Sequence, residues 1–171
     1  SKVFGYYGNI PVSIALGDNQ ASFMGAVTDY ESDMLVNYGT GSQISFVSEY
    51  VKTYGETELR PFVDGKYLVC GAALCGGRAY AILEEFLRLY LKEAGFDTKK
   101  QYNVMNRLAL EEIQNGSENM PDVDTLFCGT RKNPDIKGSV YGISESNFTP
   151  AELTRGFLYG MANELYTLFE S

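Results

Sequence analysis

The sequence predicts one α/β or α+β core, because strand-like segments occupy the first half of the chain and long helical segments the second. Apolar and polar residues alternate through 43–49, which is typical of a strand with one buried face. Apolar residues at helical spacing recur through 77–93 and 150–170. The chain has 171 residues, of which 44% are hydrophobic, so it can bury one ordinary core and is not a disordered chain.

The first elements are predicted to be a strand at 11–16 and a short helix at about 19–28. Two further strands, at 34–38 and 43–49, flank a turn at Gly39–Gly41. Glycine is favoured in such turns because it accepts backbone conformations that other residues avoid. These two strands are therefore expected to pair as a hairpin.

A second hairpin is predicted from strands at 61–63 and 67–70. The dipeptide Asp64-Gly65 lies between them and favours the positive φ angles of a tight turn. A short strand is predicted at 126–128, followed by a basic, proline-containing loop at 130–138. The strands at 34–38, 43–49, 61–63 and 67–70 are expected to form a mixed or antiparallel sheet.

Two helices follow the second hairpin. The first runs over 77–93 and is expected to stop at Gly95, since glycine is common just beyond a helix end. The second runs over about 99–114, with Thr98 as its predicted N-cap.

The last helix, 150–170, begins with a capping-box pattern in which Thr149 is the N-cap and Glu152 its partner. This helix and the helix at 77–93 should pack on the sheet through their apolar residues. The positions expected to be buried include Leu83, Phe86, Phe157 and Leu165.

Charge and residue content exclude several classes of function. The formal net charge is −8, so a polyanion such as nucleic acid would be repelled. No apolar run approaches the length of a membrane span. The sequence contains no histidine, which excludes histidine triads and the usual zinc sites, and no metal-ligating cluster is predicted. Acid–base chemistry must then use carboxylates, lysine, tyrosine or cysteine.

The three cysteines are Cys70, Cys75 and Cys128, and none belongs to a CxxC pair. An odd number of cysteines in apolar surroundings is typical of reduced, buried thiols. A cytoplasmic location is therefore expected. Cys75 is interpreted as a packing residue rather than a reactive thiol.

Asp18 is the strongest candidate for a catalytic residue. It follows a strand-like run in the segment Gly17-Asp18-Asn19-Gln20-Ala21. A carboxylate at a helix N-terminus is held in its ionised form, so it can orient an acceptor hydroxyl and take its proton. The alternative is an ordinary N-cap, because aspartate is common at that position. Asn19 is a candidate substrate contact or simply part of an exposed first turn.

The second candidate site is the segment Gly39-Thr40-Gly41-Ser42, at the end of the next strand. Successive glycines allow the backbone to approach a phosphate and to offer N–H groups to it. The alternative is a simple turn between two strands. Taken with Asp18, the turn suggests transfer of a phosphoryl group to a hydroxyl.

These segments resemble the FGGY carbohydrate kinases. Residues 10–21 are similar to the catalytic-aspartate segment of that family, residues 39–42 to its second phosphate-binding motif, and residues 60–77 to the passage that continues the nucleotide cleft. Two segments, Gly17-Asp18-Asn19-Gln20 and Ala73-Leu74-Cys75-Gly76-Gly77-Arg78, are most similar to the sedoheptulokinase-like branch of the family. The resemblance covers nearly the whole chain.

The resemblance implies an actin-like, ribonuclease-H-like ATPase fold, present here incompletely. It implies that residues 1–33 are the last strand and helix of the first, sugar-binding domain and that residues 34–171 are most of the second, nucleotide-binding domain. The Asp-x-Gly-Thr loop and the glycine-rich adenosine motif of the family are absent from these residues. The chain is therefore expected to be a fragment that is inactive alone.

The resemblance also implies roles for individual residues. Asp18 would be the catalytic base and, with Asn19, would contact the sugar. Gly39, Thr40 and Gly41 would hold the phosphates of ATP. Gly71 would lie near the nucleotide, although it can instead serve close packing.

The implied activity is ATP-dependent phosphorylation of a terminal hydroxyl of a ketose such as sedoheptulose or xylulose, with Mg²⁺. The partners would be the sugar and ATP, with no nucleic acid and no membrane, and self-association into a homo-oligomer is conceivable because a truncated domain exposes its edges. The alternative is a non-catalytic module of the same fold that binds a partner or serves as a regulator.

Overall fold

The computed structural model describes residues 3–13 and 15–170, and the side chains of Phe4, Phe169 and Glu170 are not described. Ile14, within the predicted strand at 11–16, lies outside the described residues. The elements are β1 Val3–Tyr7, β2 Ile10–Ser13, α1 Asp18–Ala26, β3 Met34–Tyr38, β4 Ser42–Ser48, β5 Glu58–Pro61, β6 Tyr67–Ala73, α2 Gly76–Glu93, α3 Tyr102–Gln114, β7 Asp122–Asp124, β8 Ser139–Tyr141 and α4 Pro150–Glu170.

The central sheet has four antiparallel strands in the order β3-β4-β6-β5. The predicted hairpin around Gly39–Gly41 is formed by β3 and β4. The second predicted hairpin is also present, and its turn places Asp64 at φ 56° and Gly65 at φ 76°. Its first strand ends at Pro61 rather than 63, because the Phe62 N–H donates to the Lys66 carbonyl and closes the turn there. The predicted antiparallel sheet is thus confirmed.

Helices cover both faces of this sheet. On one face α1 buries Phe23, which is fully inaccessible and packs with Leu68 and Cys70 of β6. On the other face α4 buries Leu165 and Leu168 against β4 and β6. Burial of these apolar side chains is the main stabilising contribution to the packing.

A second core lies between α2, α3 and α4, where Leu83, Met105 and Phe157 are buried together. The expected burial of Leu83, Phe157 and Leu165 is confirmed. The expectation for Phe86 is wrong, since its side chain is 64% exposed. The buried positions of α2 are Gly76, Ala79, Leu83 and Glu84, and Phe86 lies at the solvent-exposed edge of that face.

The start of α3 is set by a tertiary contact rather than by a local cap. The helix begins at Tyr102, so the prediction that Thr98 caps it is wrong. The N–H of Gln101 donates to the carboxylate of Glu84 at 3.0 Å. Glu84 is 2% exposed and is also paired with Arg88 at 3.2 Å. A buried carboxylate on α2 therefore receives one of the otherwise unbonded N–H groups near the start of α3.

The strand predicted at 126–128 is wrong. The strand lies earlier, at Asp122–Asp124, and pairs with β8. The Asp124 carboxylate then accepts the N–H of Leu126 at 3.1 Å and turns the chain, so residues 126–128 form a turn. Aspartate side chains compete with strand pairing in this way.

Two predictions about helix ends are confirmed. Helix α2 stops before Gly95, which has φ 89°. Thr149 caps α4, because its hydroxyl accepts the N–H of Glu152 at 3.2 Å. In a full capping box the glutamate side chain would in turn accept the N–H of the N-cap residue. Here the Glu152 carboxylate is instead bound by Ser117 and by Arg155.

Two strands, β1 and β8, were missed. Strand β1 pairs with β2 around Gly8 and Asn9, with Gly8 at φ 61°. Glycine-asparagine is itself a hairpin signal. In the described part of the chain, no helix is both long and apolar enough for a membrane span.

Candidate functional site

The Gly39–Gly41 turn is held by the first residues of α2. The N–H of Gly77 donates to the Gly39 carbonyl at 3.0 Å, and the N–H of Arg78 donates to the Thr40 carbonyl at 3.1 Å. Inside the turn, the Gly39 N–H bonds the Gly41 carbonyl at 2.9 Å. The N–H groups of Thr40 and Gly41 make no hydrogen bond to any described residue. Two backbone donors and the exposed Thr40 hydroxyl are therefore available to a ligand.

The glycines around this turn allow the close contact. A methyl group at Gly77 would lie 2.5 Å from the Gly39 carbonyl oxygen, and one at Gly41 would lie 2.9 Å from that of Ala73. A methyl group at Gly76 would lie 2.5 Å from the carbonyl carbon of Gly41. Since the N–H groups of Gly77 and Arg78 are already bonded to the turn, Gly76 and Gly77 serve packing here rather than direct anion binding.

Gly71 lies in β6, underneath α4. A methyl group there would come within 3.1 Å of Leu168 and 3.3 Å of Ile44. Gly71 is buried, whereas its neighbours Cys70 and Ala72 line a cavity of about 500 Å³, the main cavity of the structure. This position supports a packing role, and a nucleotide contact by Gly71 stays a prediction.

Asp18 is the first residue of α1, and Gly17 occupies the N-cap position. The Asp18 side chain does not cap the helix, because its carboxylate accepts the N–H of the next residue, Asn19, at 2.8 Å. It is exposed and can meet a solvent-borne group. The geometry therefore contradicts the alternative that Asp18 is an ordinary N-cap residue.

Asn19 and Gln20 have different surroundings. Asn19 lines the main cavity. The Gln20 side-chain amide donates to the Pro61 carbonyl at 3.3 Å and so connects α1 to the end of β5. Among these neighbours, Asn19 is the residue placed to reach a bound molecule.

The main cavity has a volume of about 500 Å³ and opens where β5 begins. Beyond Glu58, strand β6 continues to Ala73 without a partner on that side. A cavity of this size is within the usual range for small-molecule sites. Its polar lining residues include Asn19, Gln43, Arg60, Thr130, Arg131 and Glu164.

Charged side chains at the cavity form a connected group. Glu58 is bound by Arg60, at 2.9 Å, and by Arg131. Lys132 pairs with Glu56 at 3.4 Å. The hydrogen bond from Arg60 is the largest cause that lowers the pKa of Glu58. The cavity lining holds three cations, Arg60, Arg131 and Lys132, and three carboxylates, Glu56, Glu58 and Glu164, so these charges balance.

Arg60 also connects the cavity to Asp18. Its pKa is raised first by the hydrogen bond to Glu58, and the negative charge of Asp18 makes a smaller contribution in the same direction. The exposed Asp18 carboxylate is therefore close enough to Arg60 to interact with it electrostatically. The cavity lining itself includes Asn19 but, among the described residues, not Asp18, the Gly39–Gly41 turn or Gly71.

Glu164, on α4, is a cavity residue that the sequence analysis did not identify. Its carboxylate accepts the Thr125 hydroxyl at 2.6 Å. Burial raises the pKa of this carboxyl, and the Thr125 hydrogen bond partly opposes that shift. Burial and the Glu164 charge together raise the pKa of Tyr38 on β3. Tertiary packing of α4 places Glu164 here, and no local motif marks it.

The described residues do not form a metal site. Nowhere in the described part of the chain do three histidine, cysteine, aspartate or glutamate side chains approach closely enough to hold an ion. The Mg²⁺ implied by the family resemblance therefore has no ligand set among these residues.

The fold matches solved kinase structures. The xylulose kinase from Rhodospirillum rubrum superimposes with a TM-score of 0.73 at 24% identity, over 90% of this chain and 30% of that one. The xylulose kinase from Bifidobacterium adolescentis gives 0.69 at 22% identity, over 90% and 29%. The chain has the fold of these kinases. The predicted α/β, actin-like fold and the resemblance to the FGGY carbohydrate kinases are thereby confirmed.

Sequence relatives agree with the structural ones. The sedoheptulokinase from Homo sapiens is 26% identical in an alignment 164 residues long that covers 92% of this chain and 34% of that protein. The sedoheptulokinase from Mus musculus is 25% identical over 164 residues. No protein-family profile matches the chain. The chain spans about a third of the length of these relatives.

Proposed function

We propose that the chain is part of an ATP-dependent sugar kinase that phosphorylates a terminal hydroxyl of a ketose such as sedoheptulose or xylulose. The observation that carries this proposal is the Gly39–Gly41 turn, whose Thr40 and Gly41 N–H groups have no partner among the described residues. Backbone donors presented in this way suit phosphate oxygens. The names of the sequence relatives and structural neighbours support the reaction class.

The proposed reaction uses three groups of this chain. The turn, with the Thr40 hydroxyl, holds the β- and γ-phosphates of ATP. Asn19 contacts the sugar from the cavity wall. Asp18 orients the acceptor hydroxyl and takes its proton as the new phosphorus–oxygen bond forms, which is the role of a general base in phosphoryl transfer.

In this proposal, residues 1–33 close the sugar-binding domain and residues 34–171 belong to the nucleotide-binding domain of a cytoplasmic enzyme. Catalytic activity then belongs to the longer protein rather than to these 171 residues. The described residues supply the base and one phosphate site. They do not supply the Asp-x-Gly-Thr loop or a ligand set for Mg²⁺.

The test is a sugar panel on the full-length protein that contains this chain. Formation of ADP is measured with sedoheptulose, xylulose and, as a control, a polyol without a keto group. A ketose that stimulates ADP formation and appears as its phosphate supports the proposal. Binding of ATP without turnover on any sugar would instead identify the non-catalytic module.

A further inference from the structure

Two of the three cysteines lie in contact although they are far apart in sequence. The sulfur of Cys128 is 3.6 Å from that of Cys75, across 53 residues. Both are free thiols. Cys70 is elsewhere, on β6, with its sulfur 3.6 Å from the hydroxyl of Ser45. The pair is therefore a specific juxtaposition, and Cys70 is an internal control.

The two thiols differ in their access to solvent. Cys75 is fully buried in the core formed with Ala79, Leu83 and Phe157. Cys128 is half-buried and packs against this core from the turn at 126–128. A small oxidant can reach Cys128 first and Cys75 only through it.

We propose that Cys75 and Cys128 form a reversible disulfide that regulates the main cavity. A disulfide requires a sulfur–sulfur distance of about 2.05 Å, so the two sulfurs need to approach by about 1.5 Å. The co-reactant is a low-molecular-weight disulfide such as glutathione disulfide. Two protein thiols are oxidised and one molecule of that disulfide is reduced to two thiols.

The exchange proceeds in two balanced steps. The Cys128 thiolate attacks the small disulfide, forms a mixed disulfide and releases one small thiolate, which takes up a proton. The Cys75 sulfur then loses its proton, attacks the Cys128 sulfur and expels the second small thiol. Burial is the main cause that raises the pKa of Cys75 to about 12, so this thiol is a poor first nucleophile and the more exposed Cys128 makes the first attack.

The consequence for the cavity follows from what each cysteine is attached to. Cys75 immediately precedes α2, whose start is fixed to the Gly39–Gly41 turn by the hydrogen bonds of Gly77 and Arg78. Cys128 lies on the chain segment that contributes Leu126, Gly129 and Thr130 to the cavity wall. Closing the bond should shift that wall relative to the start of α2, and so disturb both the cavity and the Gly39–Gly41 turn that is bonded to α2.

The chemical test uses the purified 171-residue chain and glutathione disulfide. We expect two thiols to be lost, the mass to fall by two hydrogen atoms and peptide mapping to link Cys75 with Cys128. Dithiothreitol should reverse the change, and the Cys70→Ser variant should still form the link between Cys75 and Cys128. Cys75→Ser should stop at a glutathione adduct on Cys128.

Should Cys75→Ser fail to fold, Cys128→Ser at the half-buried position serves in its place and should form no intramolecular disulfide. A link to Cys70, a link between two chains only, or no link at all would overturn the proposal.

The test of regulation rests on the proposed function. Affinity for a non-hydrolysable ATP analogue is compared between the reduced and the oxidised chain. We expect at least a severalfold loss on oxidation, absent in the Cys128→Ser variant. An unchanged affinity after complete disulfide formation would refute regulation. No binding by the reduced chain would instead count against the proposed phosphate site, while the measured disulfide would still stand.

Discussion

Asp18 is the residue on which the proposed chemistry depends. Its carboxylate is exposed and bonded to the N–H of its own neighbour, and the N-cap position is occupied by Gly17. Replacement should therefore have little effect on the stability of α1 and a large effect on proton transfer. Catalytic and capping roles predict opposite results at this position.

In the full-length enzyme, Asp18→Asn should lower turnover by about 10²–10⁴, because a general base contributes that much to the rate. Nucleotide affinity and the melting temperature should change little. Steady-state kinetics and a melting curve on the same variant provide the measurement. Asp33→Asn, an exposed carboxylate before β3, is the control. Turnover within a fewfold of wild type would remove Asp18 from the mechanism.

Glu164 gives a prediction about pH. Its pKa is raised above 4.5 by burial in the folded protein, so the folded state binds the proton more tightly than the unfolded state does. The free energy of unfolding contributed by this group should fall as the pH rises from about 4.5 through the raised pKa, and then level off. Unlike a salt-bridged carboxylate, Glu164 therefore destabilises the fold at neutral pH.

Glu164→Gln keeps a hydrogen-bond acceptor for Thr125 and removes this cost. The variant should be more stable than wild type in urea unfolding at pH 7, and the difference should shrink as the pH falls to about 4. Glu85→Gln, on the exposed side of α2, should show no such trend. A glutamine variant less stable than wild type at pH 7 would contradict the assignment of burial as the dominant cause.

At the scale of elements, the junction between the Gly39–Gly41 turn and α2 depends on the absence of side chains. Gly77→Ala would place a methyl group 2.5 Å from the Gly39 carbonyl oxygen, so either the helix or the turn must move. We expect a loss of about 1–3 kcal/mol in the free energy of unfolding. Weaker ATP binding should accompany it.

The matched control is Gly25→Ala in α1, where a methyl group meets no atom within 4 Å. That change should be neutral or stabilising by up to about 1 kcal/mol, because alanine favours helices over glycine. Equal effects of the two substitutions in urea unfolding would show that the contact between α2 and the turn is not tight.

Local signals predicted the elements that local chemistry determines. Asp64-Gly65 predicted its hairpin, and Thr149 predicted the start of α4, because the groups involved are neighbours in sequence. The start of α3 could not be predicted, since the Glu84 carboxylate that binds Gln101 comes from another helix. The prediction of a strand at 126–128 was wrong for a local reason, because the Asp124 carboxylate binds the N–H of Leu126 and turns the chain.

The same division applies to the candidate site. Asp18 and the Gly39–Gly41 turn were identifiable because each follows a strand-like run with distinctive residue types. Glu164 and the Arg60–Glu58–Arg131 group were not, because three separate parts of the chain supply them. Only folding brings these charges to one cavity.

At the scale of the whole molecule, the 171 residues carry one proposed phosphate site, the Gly39–Gly41 turn, and one proposed base, Asp18. They should bind ATP weakly and show no sugar-dependent ADP formation, because the remaining phosphate loop and most sugar contacts belong elsewhere in the proposed enzyme. Calorimetry for binding and a coupled ADP assay for turnover are the measurements. Robust turnover by the purified chain would refute this view of its place in the enzyme.

The β1–β2 hairpin has a consequence for protection of its amide protons against exchange with solvent. Tyr6, Tyr7 and Ile10 are 71%, 82% and 65% exposed, and every β2 side chain faces solvent. A two-stranded hairpin whose side chains do not pack against another element is only marginally stable in water. Its amides should therefore exchange through local opening, long before those of β4 and β6, which open only when the sheet between α1 and α4 comes apart.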